Sequence, residues 1–89
     1  MMSREELEKR LRWIEVRTIQ LMGMMNPTIS YGWYKSKNPR LRARFEQTYK
    51  RMEKNNPGSF KILSEYIELI EEEKELKEYK KELKNETDN

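Results

Sequence analysis

Between residues 31 and 54 the chain carries Lys35, Lys37, Arg40, Arg42, Arg44, Lys50, Arg51 and Lys54 against Glu46 and Glu53. Three rings, Tyr31, Trp33 and Tyr34, stand at the head of this run. Guanidinium and ammonium groups meet phosphate oxygens, and neighbouring rings can stack on bases, so this mixture fits a nucleic acid. At 100° per residue, Arg40, Arg44, Arg51 and Lys54 fall within about 80° of one another on a helix. They lie roughly opposite Leu41, Phe45, Tyr49 and Met52. One helix would thus turn an apolar face inward and a cationic face outward. The expected contact set is Tyr31, Trp33, Tyr34, Lys35, Lys37, Arg40, Arg44, Arg51 and Lys54. The plainer alternative turns Trp33 and one tyrosine into the core and leaves the cations as ordinary solvated surface.

Other constellations carry less chemistry. The chain has neither cysteine nor histidine, so thiolate sites, disulfides and the usual base near neutral pH are excluded. Ser3, Ser30, Ser36, Ser59 and Ser64 lack a histidine to activate them. Glycines 23, 32 and 58 are scattered and build no phosphate-cradling loop. The run Glu71, Glu72, Glu73 and Glu75 is interleaved with Lys74 and Lys77, which reads as a solvated helix face and not a calcium loop. No catalytic residue, metal or cofactor is expected, and the chain reads as a non-enzyme. Met22, Met24 and Met25 cluster around Gly23; such thioethers suit an adaptable docking surface, though more often they fill core gaps.

Eighty-nine residues is a single small domain, 1–85, with 35% apolar and 39% charged residues. That apolar share lies below the ordinary globular range of about 45–50%, so the core must be thin. With disulfides and metals excluded, self-association is the expected support. No apolar run is long enough for a membrane span, and Met1 leads straight into charged residues, so a soluble, cytoplasmic chain is expected. The net charge of +3 is unevenly divided: +7 over residues 1–58 and −4 over residues 59–89. All eight arginines lie at or before Arg51. A polyanion would therefore meet the first two-thirds of the chain.

The elements that must position these groups are punctuated by Asn26-Pro27, Asn38-Pro39 and Asn56-Pro57. Proline disfavours helix in the residue before it and fits the first turn of a new one, while asparagine caps helix starts. An all-α fold of three main helices follows, about 4–25, 39–54 and 59–85, with a short helical turn or loop between the first two. Ser3 and Glu6 form a capping box, with Met2 and Leu7 as its staple. Glu5–Lys9, Glu6–Arg10 and Glu8–Arg12 are spaced as i,i+4 pairs. The stripe Leu7, Leu11, Ile14, Leu21 and Met25 is widened by Trp13, Val16, Ile19 and Met22, which predicts contact with two neighbours or another subunit. The last helix is long and charged, and its Ile62, Leu69, Leu76 and Leu83 recur every seven residues like one seam of a coiled coil. Leu69, Leu76 and Leu83 are thus candidate partner contacts, beside Met22, Met24 and Met25. Residues 86–89 are expected to fray.

The stretch "SYGWYKSKNPRLRARF" resembles the helix-turn-helix region of phage small terminase subunits and related transposase-like DNA-binding domains. There a short recognition helix with an aromatic near its end is followed by Asp/Asn-Pro and another helix; here Trp33 or Tyr34, Asn38-Pro39, Leu41 and Phe45 take those places. The resemblance spans about residues 20–46 and implies DNA binding by residues 28–37, with the long last helix as an oligomerising segment. It departs at Gly23, two residues early for the turn glycine, and at Pro27, which interrupts the run. The rival expectation is a small regulatory or inhibitory protein-binding module, of phage or mobile-element type, docking through the methionine-rich and aromatic segment. A third is a purely structural oligomer built on the long helix.

Overall fold

The computed structural model describes residues 2–87, and the chain among them is all-helical: α1 (Arg4–Met24), α2 (Thr28–Lys35), α3 (Pro39–Asn55) and α4 (Pro57–Thr87). The joints form as the Asn-Pro pairs require. The amides of Thr28, Arg40 and Ser59 donate to Oδ1 of Asn26, Asn38 and Asn56 at 3.1, 3.0 and 3.3 Å. Each asparagine thereby satisfies an amide that the first helical turn leaves without a carbonyl. Ser3 caps α1 in the same way, accepting from the Glu6 amide at 3.2 Å. The segment expected as a turn or loop is an eight-residue helix, and Gly32 within it has a negative φ. The last helix starts at Pro57, directly at the third Asn-Pro joint, and continues past residue 85 through Thr87. Residues 88 and 89 of the expected frayed tail lie outside the described residues.

α1 runs antiparallel along α4. Arg10 grips Glu72 through Nε and Nη2 at 2.6 and 2.9 Å, and Arg17 grips Glu65 in a second two-pronged contact, with Nη2–Oε1 at 2.9 Å. Two arginines seven residues apart thus meet two glutamates seven apart in the opposite order. Such flanking pairs fix the register and direction of a two-helix coiled coil. Along the seam that they flank, Ile14 and Leu21 from α1 pack with Tyr66 and Leu69 from α4, all buried, and Leu7 is buried near the start of α1. Thr18 fills the one polar position of the seam and returns its hydroxyl to the Glu15 carbonyl at 2.9 Å. Further along, Lys80 approaches Glu8 at 3.8 Å.

This pairing corrects three expectations. Leu69 belongs to the chain's own core, with Leu76 packed beside it, so the heptad seam of the last helix is filled by α1 and not by a partner. Leu83 on that seam is half-buried. Arg10 turns to Glu72 in place of a local pair with Glu6, because a forked contact at a half-buried seam is stronger than an exposed single one, and Glu8 approaches Lys80 in place of Arg12. Met22 and Met24 are exposed and do not fill core gaps; Met25 is half-buried.

α2 and α3 cover the other side of α4. The molecule measures 51 × 27 × 20 Å, its long axis close to the length of α4. No helix among the described residues is long and apolar enough to cross a membrane.

Candidate functional site

The aromatic side chains of α2 and α3 form a chain of rings that begins and ends on α4. Tyr66 meets Tyr31 edge-on at 5.7 Å, Tyr31 meets Tyr34 at 6.1 Å, and Tyr34 tilts on Phe45 at 5.1 Å. Phe45 then stacks on Tyr49 at 5.1 Å, and Tyr49 meets Phe60 at 4.7 Å. The Tyr49 hydroxyl shares a 2.6 Å hydrogen bond with Ser64 Oγ, so a half-buried phenol end is satisfied. Burial among these rings pushes the Tyr66 phenol above its ordinary value, with the neighbouring Tyr31 adding to the rise. Two of the three rings singled out from sequence, Tyr31 and Tyr34, thus tie α2 to the rest of the fold.

Charge completes that attachment. Lys35 Nζ lies 2.7 Å from Glu71 Oε1, and Lys74 Nζ donates to the Tyr31 hydroxyl at 2.9 Å. Tyr31 and Lys35 therefore face α4, where they hold α2 in place. Their orientation narrows the candidate surface, since a group already paired must exchange that partner for a phosphate.

The remaining candidates face solvent. Lys37, Arg40, Arg44, Arg51 and Lys54 are all exposed. Arg44 lays its guanidinium 4.9 Å from the centroid of half-buried Trp33, across the joint between α2 and α3. This contact holds both groups at one rim of the α3 face. Among the described residues, Lys37, Arg40, Arg51 and Lys54 form no ion pair. Four acids of α4 are paired away from α3: Glu65 and Glu72 with α1, Glu71 with α2, and Glu73 with Lys77 within α4 itself. The hydrogen bonds from Arg17, Lys35 and Arg10 hold the Glu65, Glu71 and Glu72 carboxyls below their usual range, so all three are ionised near neutral pH. α3 meets α4 through rings and a hydroxyl instead, leaving its cations uncompensated.

Sequence reasoning placed the cationic face correctly on the solvent side of α3. It missed the two arginine forks of α1, although their signal was present: Arg10 and Arg17 share a seven-residue spacing with Glu65 and Glu72. No protein-family model matches the chain, and no similar curated protein or solved structure was found.

Proposed function

We propose that this chain is a non-enzymatic nucleic-acid-binding protein whose contact surface is the outer face of α3 with its Trp33–Arg44 rim. The observation that carries this reading is the absence of any acidic partner for Lys37, Arg40, Arg51 and Lys54 among the described residues, while Glu65, Glu71 and Glu72 of α4 pair with α1 and α2. The exposed arginines and lysines grip phosphates and release counterions. Trp33, fixed by the guanidinium above it, offers an edge against sugar or base. α2, the three residues 36–38 and α3 form two helices joined by a short turn, the arrangement of helix-turn-helix modules. That geometry supports, by analogy of form, the resemblance to terminase and transposase-like domains.

The test is fluorescence anisotropy with a labelled DNA duplex and a labelled RNA strand over a salt series. Log affinity should fall linearly with log salt, and changing Arg40, Arg44 and Arg51 together to Ala should flatten the DNA slope by about 3. Changing the same three to Lys should retain most of the slope. Salt-insensitive binding, or a triple Ala variant indistinguishable from wild type, overturns the reading.

A second reading, a small protein-binding module, is favoured by the exposed Met24 and Ile29 at the corner between α1 and α2. Under it, affinity for a protein partner resists salt and falls on Met24→Asp.

A further inference from the structure

α3 is fastened to the rest of the chain along one narrow edge. All of its 17 residues except Leu41, Phe45, Thr48, Tyr49 and Met52 are exposed. At 100° per residue those five span an arc of about 100°, which leaves the outer side and much of both flanks open. Gln47 stands at the crest, opposite Phe45 and Tyr49. Its side-chain amide joins no hydrogen bond among the described residues. Arg40, Arg44, Lys50, Arg51 and Lys54 project within about 60° of it, whereas Glu46 and Glu53 lie about 100–120° away, towards the packed edge. A neutral donor and acceptor is thus ringed by cations.

The rings beside this face argue for a duplex and against a single strand. A single strand binds by stacking its bases on ring faces. Here Tyr31 has Lys74 Nζ 5.5 Å from its centroid, Tyr34 has Lys35 Nζ at 5.6 Å, and Trp33 has the Arg44 guanidinium at 4.9 Å. The two tyrosines also meet Tyr66 and Phe45. A stacked base would have to displace a cation at each ring. Duplex DNA needs no such platform. Its major groove is about 12 Å wide and a helix with its side chains measures about 10–12 Å across, so a helix held by one edge can enter it. The major groove of duplex RNA is too deep and narrow for side chains to read.

We infer, on the reading of α3 as a nucleic-acid surface, that its partner is double-stranded DNA, with α3 lying in the major groove and Gln47 reading an adenine edge. A glutamine amide donates to adenine N7 and accepts from N6 in one two-pronged contact. Arg40 and Ala43 share the crest, within about 60° of one another and of Gln47. An arginine fork matches guanine O6 and N7, and an alanine methyl meets the thymine methyl. From Arg40 to Gln47 the helix rises about 10.5 Å, the length of about three base-pair steps. Arg44, Lys50, Arg51 and Lys54 then hold phosphates and fix the register. α2 is less fitted to this role. Its one cation, Lys35, pairs with Glu71, and its other exposed residues, Thr28, Ile29, Gly32 and Tyr34, carry no charge.

Selection by the full chain from a pool of DNA duplexes randomised over one helical turn tests the inference. Selected sites should share an adenine about three steps from a guanine. In fluorescence anisotropy at one salt concentration, replacing that A·T pair by G·C should cost about tenfold in affinity, and Gln47→Ala should abolish the difference. Gln47 carries no charge and stands away from the packed edge, so the same variant should keep the wild-type salt slope and melting curve. A preference untouched by Gln47→Ala, or one lost on Ile29→Ala of α2 instead, overturns the inference. So does tighter binding of a single strand or of duplex RNA than of the selected duplex. Salt-dependent binding without any sequence preference overturns it too, while leaving the proposed function standing. Absence of salt-dependent binding removes both, so the two readings fail distinguishably.

Discussion

Arg10 and Arg17 on α1, and Arg40 and Arg51 on α3, are the same residue type put to opposite uses. The first two turn inward along a helix pair and close onto Glu72 and Glu65; the second two stand in solvent and form no ion pair among the described residues. Both helices carry a cationic face, and both pack against the acid-rich α4. Register makes the difference. α1 meets the part of α4 where glutamates flank the apolar seam, whereas α3 meets its first turns, where Phe60, Leu63 and Ser64 stand. The same net charge is therefore structural in one region and available in the other.

The strongest way to break this comparison is to remove the seam. Ile14 is fully buried among α1 and α4, and Ile14→Ala should cost about 3 kcal/mol. In a domain this small that lowers Tm by roughly 10–20 °C, read by circular dichroism melting. A fall of only a degree or two would mean that α1 is not fastened as described. The α3 face should then still bind polyanions at temperatures where the variant is folded.

A smaller effect separates the inward charges from the outward ones by pH. Glu65 and Glu72 titrate below their usual range because the folded state holds their ionised forms, mainly through hydrogen bonds from Arg17 and Arg10. Carboxyls with depressed values contribute stability that is present above the unfolded value, about 4.3, and lost as pH falls through the folded one. Tm should therefore drop on acidification from about pH 4.3 downward. The double variant Glu65→Gln, Glu72→Gln should start lower at neutral pH and show a flatter acid limb. An acid limb as steep as wild type would assign that loss to other carboxyls, Glu71 first, since Lys35 holds it low in the same way.

Much of this was legible in the sequence where a local rule governs. The three Asn-Pro joints, the Ser3 cap and the outward turn of the α3 cations depend on residues within a turn or two of each other. What was not legible depends on distant partners. The seven-residue repeat of the last helix is the same whether another chain or α1 fills it, and only the fold selects α1, burying Leu69. Likewise Tyr31 and Lys35 read as surface chemistry because Tyr66 and Glu71, which engage them, are more than thirty residues away. The core-filling alternative for two of the methionines fails for a related reason. Met22 and Met24 sit near buried Leu21 in sequence, yet a helix turns successive side chains by 100°, and those two fall on either flank of the seam, exposed.

The smallest expected effect sharpens the comparison most. Arg51 is exposed, makes no ion pair among the described residues and stacks on no ring, so Arg51→Ala should leave Tm within about 2 °C of wild type. An arginine with a structural role, such as Arg10 with its fork to Glu72 and its place over Trp13, should lower Tm when changed to Ala. If Arg51 stands on a phosphate-binding face, its loss should reduce the magnitude of the salt slope for duplex DNA by about 1 while leaving that melt unchanged. A silent melt together with a silent slope would make Arg51 plain solvated surface, and the contact face would shrink to the Trp33–Arg44 rim and Arg40. A melt that shifts would reveal a structural use for a guanidinium that α4 leaves alone, and the division between inward and outward arginines would no longer hold.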